Sequence, residues 1–192
     1  EHCMELKMDG SGASGAEQES WLVVQSMGGG RARAMAQDLD VQAHGLQPVP
    51  WGGVAARLSA NMEGDFSVDG RPYCLLPLPA TTGLPVHVNG FFELSSNRRD
   101  IWYGDDMVGA GRLRAEWNAA LLQDVVAPSY VSLLLQVRER LRETMGSDDA
   151  RSGYYALWPQ ARPAEPWGGL VDVLYQMLLQ QPALYSELHG GV

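Results

Sequence analysis

The spacing of the hydrophobic residues changes near Arg112, and this change restricts the possible folds more than any other feature of the chain. Before that point, short apolar runs rich in β-branched residues alternate with Gly and Pro, as strands and turns do. After it, apolar residues recur every three or four positions, as on one side of a helix. Strands followed by helices predict a mixed α+β fold (α/β in the broad sense), with a mixed sheet packed against helices and a helical C-terminal part.

The same patterns predict individual elements. Residues 21–25 form an apolar run that is typical of a buried strand, and residues 31–39 are expected to be helical. The two strand-like runs 73–78 and 86–94 predict a hairpin with a long loop. Further helices are expected over 112–125, 130–141 and 168–180, with a break or kink at Pro128.

The first nineteen residues differ from the rest of the chain. Residues 1–19 are rich in Gly, Ser and acidic side chains and have little apolar surface to offset the entropy lost on ordering. They predict a flexible leader. The chain also lacks an initial Met and stops after Gly190, Gly191 and Val192, so we expect it to be a piece of a longer protein.

Composition narrows the class of partner. The 192 residues carry a formal net charge of −9, so the basic surface that binds nucleic acid or an acidic membrane is not expected. A protein or small-molecule partner is predicted instead. Lys7 is the only lysine beside thirteen arginines, a bias that fits GC-rich coding or forked pairing with carboxylate and phosphate. With two cysteines, no signal peptide and no run of about 18–20 apolar residues, the chain is expected to be soluble and cytoplasmic.

Several motifs each have a functional and a purely structural interpretation. The glycines at 28–30 could receive a phosphate at a helix N-terminus, or could form a tight turn between strand and helix; they lack the spacing of a phosphate-binding loop. Asp105 and Asp106 could hold a divalent ion, or could be solvated in a Gly-rich turn. The four histidines have no ligand spacing, so no metal site is predicted; His87 is expected to be packed or hydrogen-bonded.

One polar cluster is the strongest candidate for chemistry. Arg98 and Arg99 lie between Asn97 and Asp100, directly after a hydrophobic strand. The two guanidinium groups could anchor the loop through Asp100 and backbone carbonyls, or could reach a phosphate bound elsewhere. Both interpretations remain open at this level.

Long contiguous stretches of the chain resemble the large repeats of the sacsin family, including its plant and algal members. The most specific stretches are residues 74–79 (CLLPLP), 82–92 (TGLPVHVNGFF) and 94–102 (LSSNRRDIW), and shorter similarities lie at 21–24, 29–36, 50–55, 117–118, 124–128 and 154–159. The resemblance therefore covers nearly everything from Trp21 onward.

The resemblance implies a domain organisation. Sacsin-like repeats begin with an ATP-binding domain related to the ninety-kilodalton heat-shock chaperones, followed by a region similar to the middle segment of those chaperones. On that basis, residues 20–70 would end the ATPase-like domain and form a connector, and residues 71–192 would form the middle-like αβ domain. The motifs that bind ATP would lie in an upstream domain, and this segment would hold no cofactor of its own.

The resemblance also implies a function. We expect a non-catalytic segment of a chaperone-related protein that acts in folding or quality control through contacts with protein clients, co-chaperones or the upstream ATPase-like domain. An alternative is a segment that completes an ATPase, with Arg98 or Arg99 sensing the γ-phosphate, since an arginine in this role can accelerate transfer by orders of magnitude. A third interpretation is a scaffold without client binding.

Overall fold

The structure is a computed structural model that describes residues 1–9, 18–58, 68–104, 108–142 and 147–185. Its strands are β1 (His2–Asp9), β2 (Gln18–Met27), β3 (Trp51–Leu58), β4 (Pro72–Cys74), β5 (Leu76–Pro77) and β6 (His87–Gly90). Its helices are α1 (Gly30–Gln37), α2 (Leu39–Ala43), α3 (Ala110–Leu121), α4 (Ala127–Arg140), α5 (Asp148–Ala156) and α6 (Trp167–Leu178), with a π-helical turn (Leu122–Val126) between α3 and α4.

The strands form a single six-stranded sheet in the order β1-β2-β3-β6-β4-β5. Four neighbouring pairs are antiparallel, whereas β4 and β6 are parallel, so the sheet is mixed. The predicted α+β class, with a mixed sheet packed against helices, is confirmed.

One face of the sheet is covered by helices. Alternate residues of the long strands, such as Leu22 and Val24 in β2 and Val54 in β3, are almost completely buried there. The π-helical turn and α4 pack directly on this face, and α6 packs behind α4. Within the helical layer, the fully buried Tyr130 donates a hydrogen bond from its hydroxyl to the Leu157 carbonyl at 2.7 Å. The core is therefore a layer of sheet against a layer of helices.

The other face of the sheet carries half-buried and exposed side chains. We call it the open face. Cross-strand pairing puts its residues in rows across β1, β2, β3, β6 and β4: Met4, Leu6, Trp21, Val23, Gln25, Gly53, Ala55, Arg57, His87, Asn89 and Tyr73. The strand predicted at 21–25 is present, but it is buried on one face only.

The helix that supplies much of the core is continuous from Ala110 to Arg140. The predicted break at Pro128 is wrong: the π-helical turn comes immediately before Pro128 and provides the extra width that its ring needs. The helix is long and apolar enough to cross a membrane, but 67% of its apolar window is buried within the fold, as in the central helix of a folded core.

The predicted hairpin between residues 73–78 and 86–94 is also wrong. β4 runs parallel to β6, with Tyr73 opposite Asn89. The intervening chain returns to the start of β4, where the Gly70 amide donates to the Leu84 carbonyl at 3.0 Å and the Thr82 amide donates to the Gly70 carbonyl at 2.8 Å. The tight hairpin here joins β4 to β5 through Leu75, whose φ is +62°.

The N-terminal residues require a further correction. Within the predicted flexible leader, His2–Asp9 form the edge strand β1, which pairs with β2 over eight residues. Strand pairing supplies hydrogen bonds that composition does not reveal. The rest of that leader up to residue 17 lies outside the described residues. The proposed division at residue 70 stays a prediction, although strands from both sides of it share one sheet.

Of the two C-terminal helices, one was predicted and the other was missed. The helix predicted at 168–180 is confirmed as α6, whereas α5 was not predicted. A local signal for α5 is present: the Ser147 side chain accepts a hydrogen bond from the Ala150 amide, and two acidic residues follow in the first turn.

Candidate functional site

The predicted polar cluster lies at the tip of a tight turn that we call the arginine hairpin, residues 94–101. Leu94 and Ile101 form an antiparallel bridge at its base. Above the bridge, the Ser95 amide donates to the Asp100 carbonyl and the Arg98 amide donates to the Ser95 carbonyl, both at 2.8 Å. The turn is therefore closed by its own backbone.

The side chains of Asn97 and Asp100 make hydrogen bonds within the arginine hairpin. Asn97 Oδ1 accepts from the Ser95 hydroxyl at 2.7 Å and from the Arg99 amide at 3.0 Å. Asp100 Oδ1 accepts from the Ile101 amide at 2.8 Å. Such bonds to nearby backbone groups are how Asn and Asp stabilise turns.

Arg98 and Arg99 point two guanidinium groups into solvent. Both residues are exposed, and neither has an ion-pair partner among the described residues. Arg98 has a φ of +54°, a conformation that costs a residue with a side chain about 1 kcal/mol. The hairpin thus presents two cations that the described fold leaves available, and their phosphate-sensing role stays a prediction.

The arginine hairpin is held to helix α3 by Asn118, a side chain that the sequence reasoning did not select. Asn118 is 1% exposed. Its Oδ1 accepts from the Glu93 amide at 2.8 Å, and its Nδ2 donates to the carbonyls of Glu93 and Trp102 at 2.8 and 2.9 Å. One buried amide thus joins the two chain segments at the base of the hairpin.

Two neighbouring contacts reinforce this attachment. The indole of Trp117 donates to the Phe91 carbonyl at 2.8 Å, and the guanidinium of Arg114 lies 3.3 Å from the Glu93 carboxylate. Trp117 and Asn118 were noticed only as part of the family resemblance. The sequence signal for Asn118 is weak, because a buried Asn on a helix is recognised only once the distant backbone groups that it bonds are known.

A cavity of about 650 Å³ opens beside the base of the arginine hairpin. Its walls include Trp102, Tyr103 and the ion-paired residues Arg31, Glu116 and Arg112. The Glu116 carboxylate lies 2.8 Å from Arg112 and 3.5 Å from Arg31, so it joins α1 to α3. The chain continues from this cavity into residues 105–107, and the candidate ion site at Asp105 and Asp106 therefore lies outside the described residues.

The helix N-terminus after the three glycines already has an anionic partner. Asp124, on the π-helical turn, accepts a hydrogen bond from the Ala32 amide at 2.9 Å. Gly30 has a φ of +52°, and a Cβ there would lie 2.8 Å from the Asp124 carboxylate. A carboxylate of the protein itself thus takes the position where a phosphate was considered, and the glycines form a tight turn.

His87 is packed and hydrogen-bonded, as predicted. Its ring stacks on Trp21 with centroids 5.2 Å apart and meets Tyr73 edge-on at 5.4 Å. Its Nδ1 accepts from the Arg71 amide at 3.1 Å. Burial is the main cause that lowers the pKa of His87, and the charge of Arg71 lowers it further, against a smaller opposing effect of Asp69.

The two cysteines are free and lie on different parts of the sheet. Cys3 is in β1 and Cys74 is in β4, with three strands between them. Burial is the main cause that raises the pKa of the Cys74 thiol, which donates a 3.5 Å hydrogen bond to the Phe92 carbonyl. Within the described residues, no group of three or more His, Cys, Asp or Glu side chains could hold a metal ion.

A group of apolar side chains lies at the end of the sheet where β2, β4 and β6 finish and β3 and β5 begin. We call it the apolar rim: Met27, Trp51, Leu75, Leu76 and Phe91. Met27 and Trp51 are cross-strand partners, and Trp51 meets Phe91 edge-on with centroids 5.6 Å apart. Trp51 and Trp102 are half-buried, whereas Trp158 and Trp167 are buried.

Comparisons with known proteins identify a relative. The chain is 38% identical over 185 residues to human Sacsin (Homo sapiens), which covers 89% of this chain and 4% of the Sacsin chain. No family model matches the chain, and no solved structure matches it. The plant or algal subtype stays a prediction. Because this similarity extends over 89% of its length, the chain belongs to the sacsin family.

Proposed function

We propose that this chain is a non-catalytic segment of a sacsin-like, chaperone-related protein, and that it acts in cytoplasmic protein folding or quality control through protein–protein contacts. The relationship to Sacsin supports the family context. The partners would be protein clients, co-chaperones or an upstream ATPase-like domain, and the segment itself would hold no cofactor.

The apolar rim is the observation that carries this proposal. Met27, Leu75 and Leu76 are 64%, 66% and 74% exposed, and Phe91 is 36% exposed. Exposed apolar side chains are common singly, but a group of them at one end of a sheet is typical of a contact surface. Leu75 also sits at a φ of +62°, where a glycine would be less strained, so the turn displays a leucine at an energetic cost.

Suppression of aggregation tests the proposal. The chain is mixed with a heat-denatured test protein, and light scattering is compared for the unmodified chain and the double variant Met27→Glu, Leu76→Asp. We expect the unmodified chain to reduce scattering and the double variant to lose most of that effect. Leu179→Asp is the matched control, because Leu179 is an 87% exposed leucine that follows α6.

Two results would contradict the proposal. If the unmodified chain does not reduce scattering, the segment behaves as a scaffold without client binding. If the rim variant suppresses scattering as well as the Leu179→Asp control does, contacts with the test protein are made elsewhere. Circular dichroism of each variant verifies that the fold is retained.

A second candidate function rests on the arginine hairpin. The guanidinium groups of Arg98 and Arg99 are exposed and have no ion-pair partner among the described residues. The turn that carries them is anchored by the buried Asn118. Such a rigid cationic turn suits an arginine that reaches the γ-phosphate of ATP bound in an upstream domain.

ATP turnover tests this second candidate. The segment is joined to an ATPase-like domain from the sacsin family, and turnover is measured with Arg98→Ala, with Arg99→Ala and with Arg142→Ala as the control on an exposed arginine of the helical layer. A role in hydrolysis predicts a loss of roughly tenfold or more for at least one hairpin variant and no change for the control. Equal turnover in all variants would exclude it.

A further inference from the structure

The apolar pattern of β2 suits a strand that is covered on both faces. Leu22 and Val24 are buried against the helices, while Trp21 and Val23 point the other way. Strands with one solvated face usually alternate apolar and polar residues, and continuous apolar runs are typical of strands with two covered faces. All described helices that pack on the sheet lie on the first face, so the open face lacks the second layer that its side chains suit.

The open face carries little net charge. Arg57 lies 3.9 Å from Glu19, and the exposed Arg71 and Asp69 are close enough to His87 to shift its pKa in opposite directions. The central rows, from Met4 across Val23 to Ala55, bear no charged side chain. These described charges on the open face balance, so two open faces meet there without net like-charge repulsion.

The surface of the open face is only shallowly concave. A depression of about 400 Å³ lies at its centre, lined mainly by apolar atoms of residues that include Leu6, Trp21, Val23, Tyr73 and His87. The Trp21, His87 and Tyr73 rings form a packed cluster on one side of it. A broad face of this kind suits another broad face, whereas a single helix about 10 Å wide would cover only two strands of it.

The area is that of a protein dimer. Neighbouring strands are ~4.8 Å apart and rise ~3.4 Å per residue. The paired residues of β1, β2 and β3, eight in each strand, and the shorter strands β6 and β4 therefore cover about 500 Å² when the sheet is treated as flat. Because side chains project from the sheet, the solvent-accessible area of the open face is larger than this flat area. A specific interface buries about 1,000 Å² or more in total, or about 500 Å² from each partner, so one open face against another reaches the lower end of the sizes at which dimers form.

We propose that a second copy of this chain covers the open face, so that two chains form a two-fold dimer with their sheets packed face to face. Sheets in such a sandwich lie about 10 Å apart. In a two-fold contact the same patch serves both chains, so the neutral, apolar centre of one face meets that of the other. Met27 and Trp51 of the apolar rim lie at the margin of this contact, whereas Leu76, on β5, lies outside the strands that form it.

The oligomeric state tests the proposal. Weak protein interfaces have dissociation constants in the micromolar range, so the protein is measured at a concentration of about 100 μM. Sedimentation equilibrium should then give a mass near twice 20.9 kDa for the unmodified chain. The variants Val23→Arg and Ala55→Arg place a cation at the centre of the face and should restore the 20.9 kDa mass. Because the contact is apolar, the dimer should persist when salt is raised.

Controls separate this proposal from the proposed function. Leu39→Arg adds the same charge to an exposed leucine of α2 and should stay dimeric, as should Leu76→Asp, which lies on β5 outside the proposed contact. Circular dichroism verifies that each variant is folded. A monomeric unmodified chain would overturn the proposal, as would a dimer that survives both central substitutions, whatever the result of the aggregation experiment.

Discussion

The carboxylate of Asp124 accepts a hydrogen bond from the backbone amide of Ala32 at 2.9 Å, across 92 positions of sequence. It provides a helix cap from outside the helix: Gly29, at the N-cap position of α1, has no side chain to do so. The π-helical turn carries Asp124, so the irregularity in the long helix and the start of α1 are structurally coupled.

Loss of this cap should destabilise the protein. We expect Asp124→Ala to lower the free energy of unfolding by about 1–2 kcal/mol, because the Ala32 amide loses its acceptor. Urea denaturation followed by circular dichroism measures the change. Asp149→Ala, in the exposed first turn of α5, is the control and should cost less. Equal losses in the two variants would show that the Asp124 cap contributes nothing specific.

Removal of the Asn118 amide should be more costly. Asn118→Ala leaves the Glu93 amide and the Trp102 carbonyl at the base of the arginine hairpin without the partner that Asn118 supplies, and each unsatisfied buried group costs about 1–3 kcal/mol. The Glu93 carbonyl keeps its hydrogen bond from the Trp102 amide at 3.0 Å. We expect a loss of about 3 kcal/mol or more in urea denaturation, with faster hydrogen exchange at the Glu93 amide. Asn97→Ala, at the exposed tip of the same hairpin, should cost much less. A smaller loss for Asn118→Ala than for Asn97→Ala would refute the anchoring role.

Stability should fall when His87 is protonated. Its pKa is lowered in the folded state, so the unfolded chain binds the proton more readily. The contribution of His87 is therefore complete above the ordinary histidine pKa near 6.5, and it is lost as the pH falls through that value and then through the lowered pKa of the folded state. His87→Gln has no proton to gain there. We expect urea midpoints to fall more for the unmodified chain than for His87→Gln on acidification. Parallel pH profiles would contradict this expectation.

The backbone at Arg98 predicts an unusual effect of glycine. Because the φ of Arg98 is +54°, Arg98→Gly should relieve strain and leave stability unchanged or raise it by up to ~1 kcal/mol, whereas Arg98→Ala should keep the strain. Thermal unfolding of the two variants measures the difference. Arg99→Gly is the control, since Arg99 is not among the residues of positive φ and the substitution should only destabilise. An Arg98→Gly variant less stable than Arg98→Ala would contradict the interpretation.

Part of the fold could be predicted because its signal is local. The spacing of Leu113, Trp117, Leu121 and Val125 indicates a helix with one buried side, and that side faces the core in the structure. The helix α6 was predicted on the same basis. In both cases the 3.6-residue period of the backbone determines which side chains share a face.

The candidate site could be predicted only in part. The turn around Asn97 and Asp100 uses hydrogen bonds between near neighbours, and these residue types in a row were recognisable. Asn118 and Asp124 were missed because each is a polar residue on a helix whose partner lies in a distant segment. Nothing in the local pattern identifies the backbone group that such a side chain will meet.

Local residue patterns were thus enough for the fold class and for the helical character of residues 112–125 and 168–180, and the family resemblance was enough for membership of the sacsin family. Long-range packing was needed for the rest: that β4 runs parallel to β6, that His2–Asp9 join the sheet, and that one face of the sheet stays open. The physical reason is that backbone geometry repeats over a few residues, whereas strand neighbours and buried hydrogen bonds depend on which distant segments meet when the core is formed.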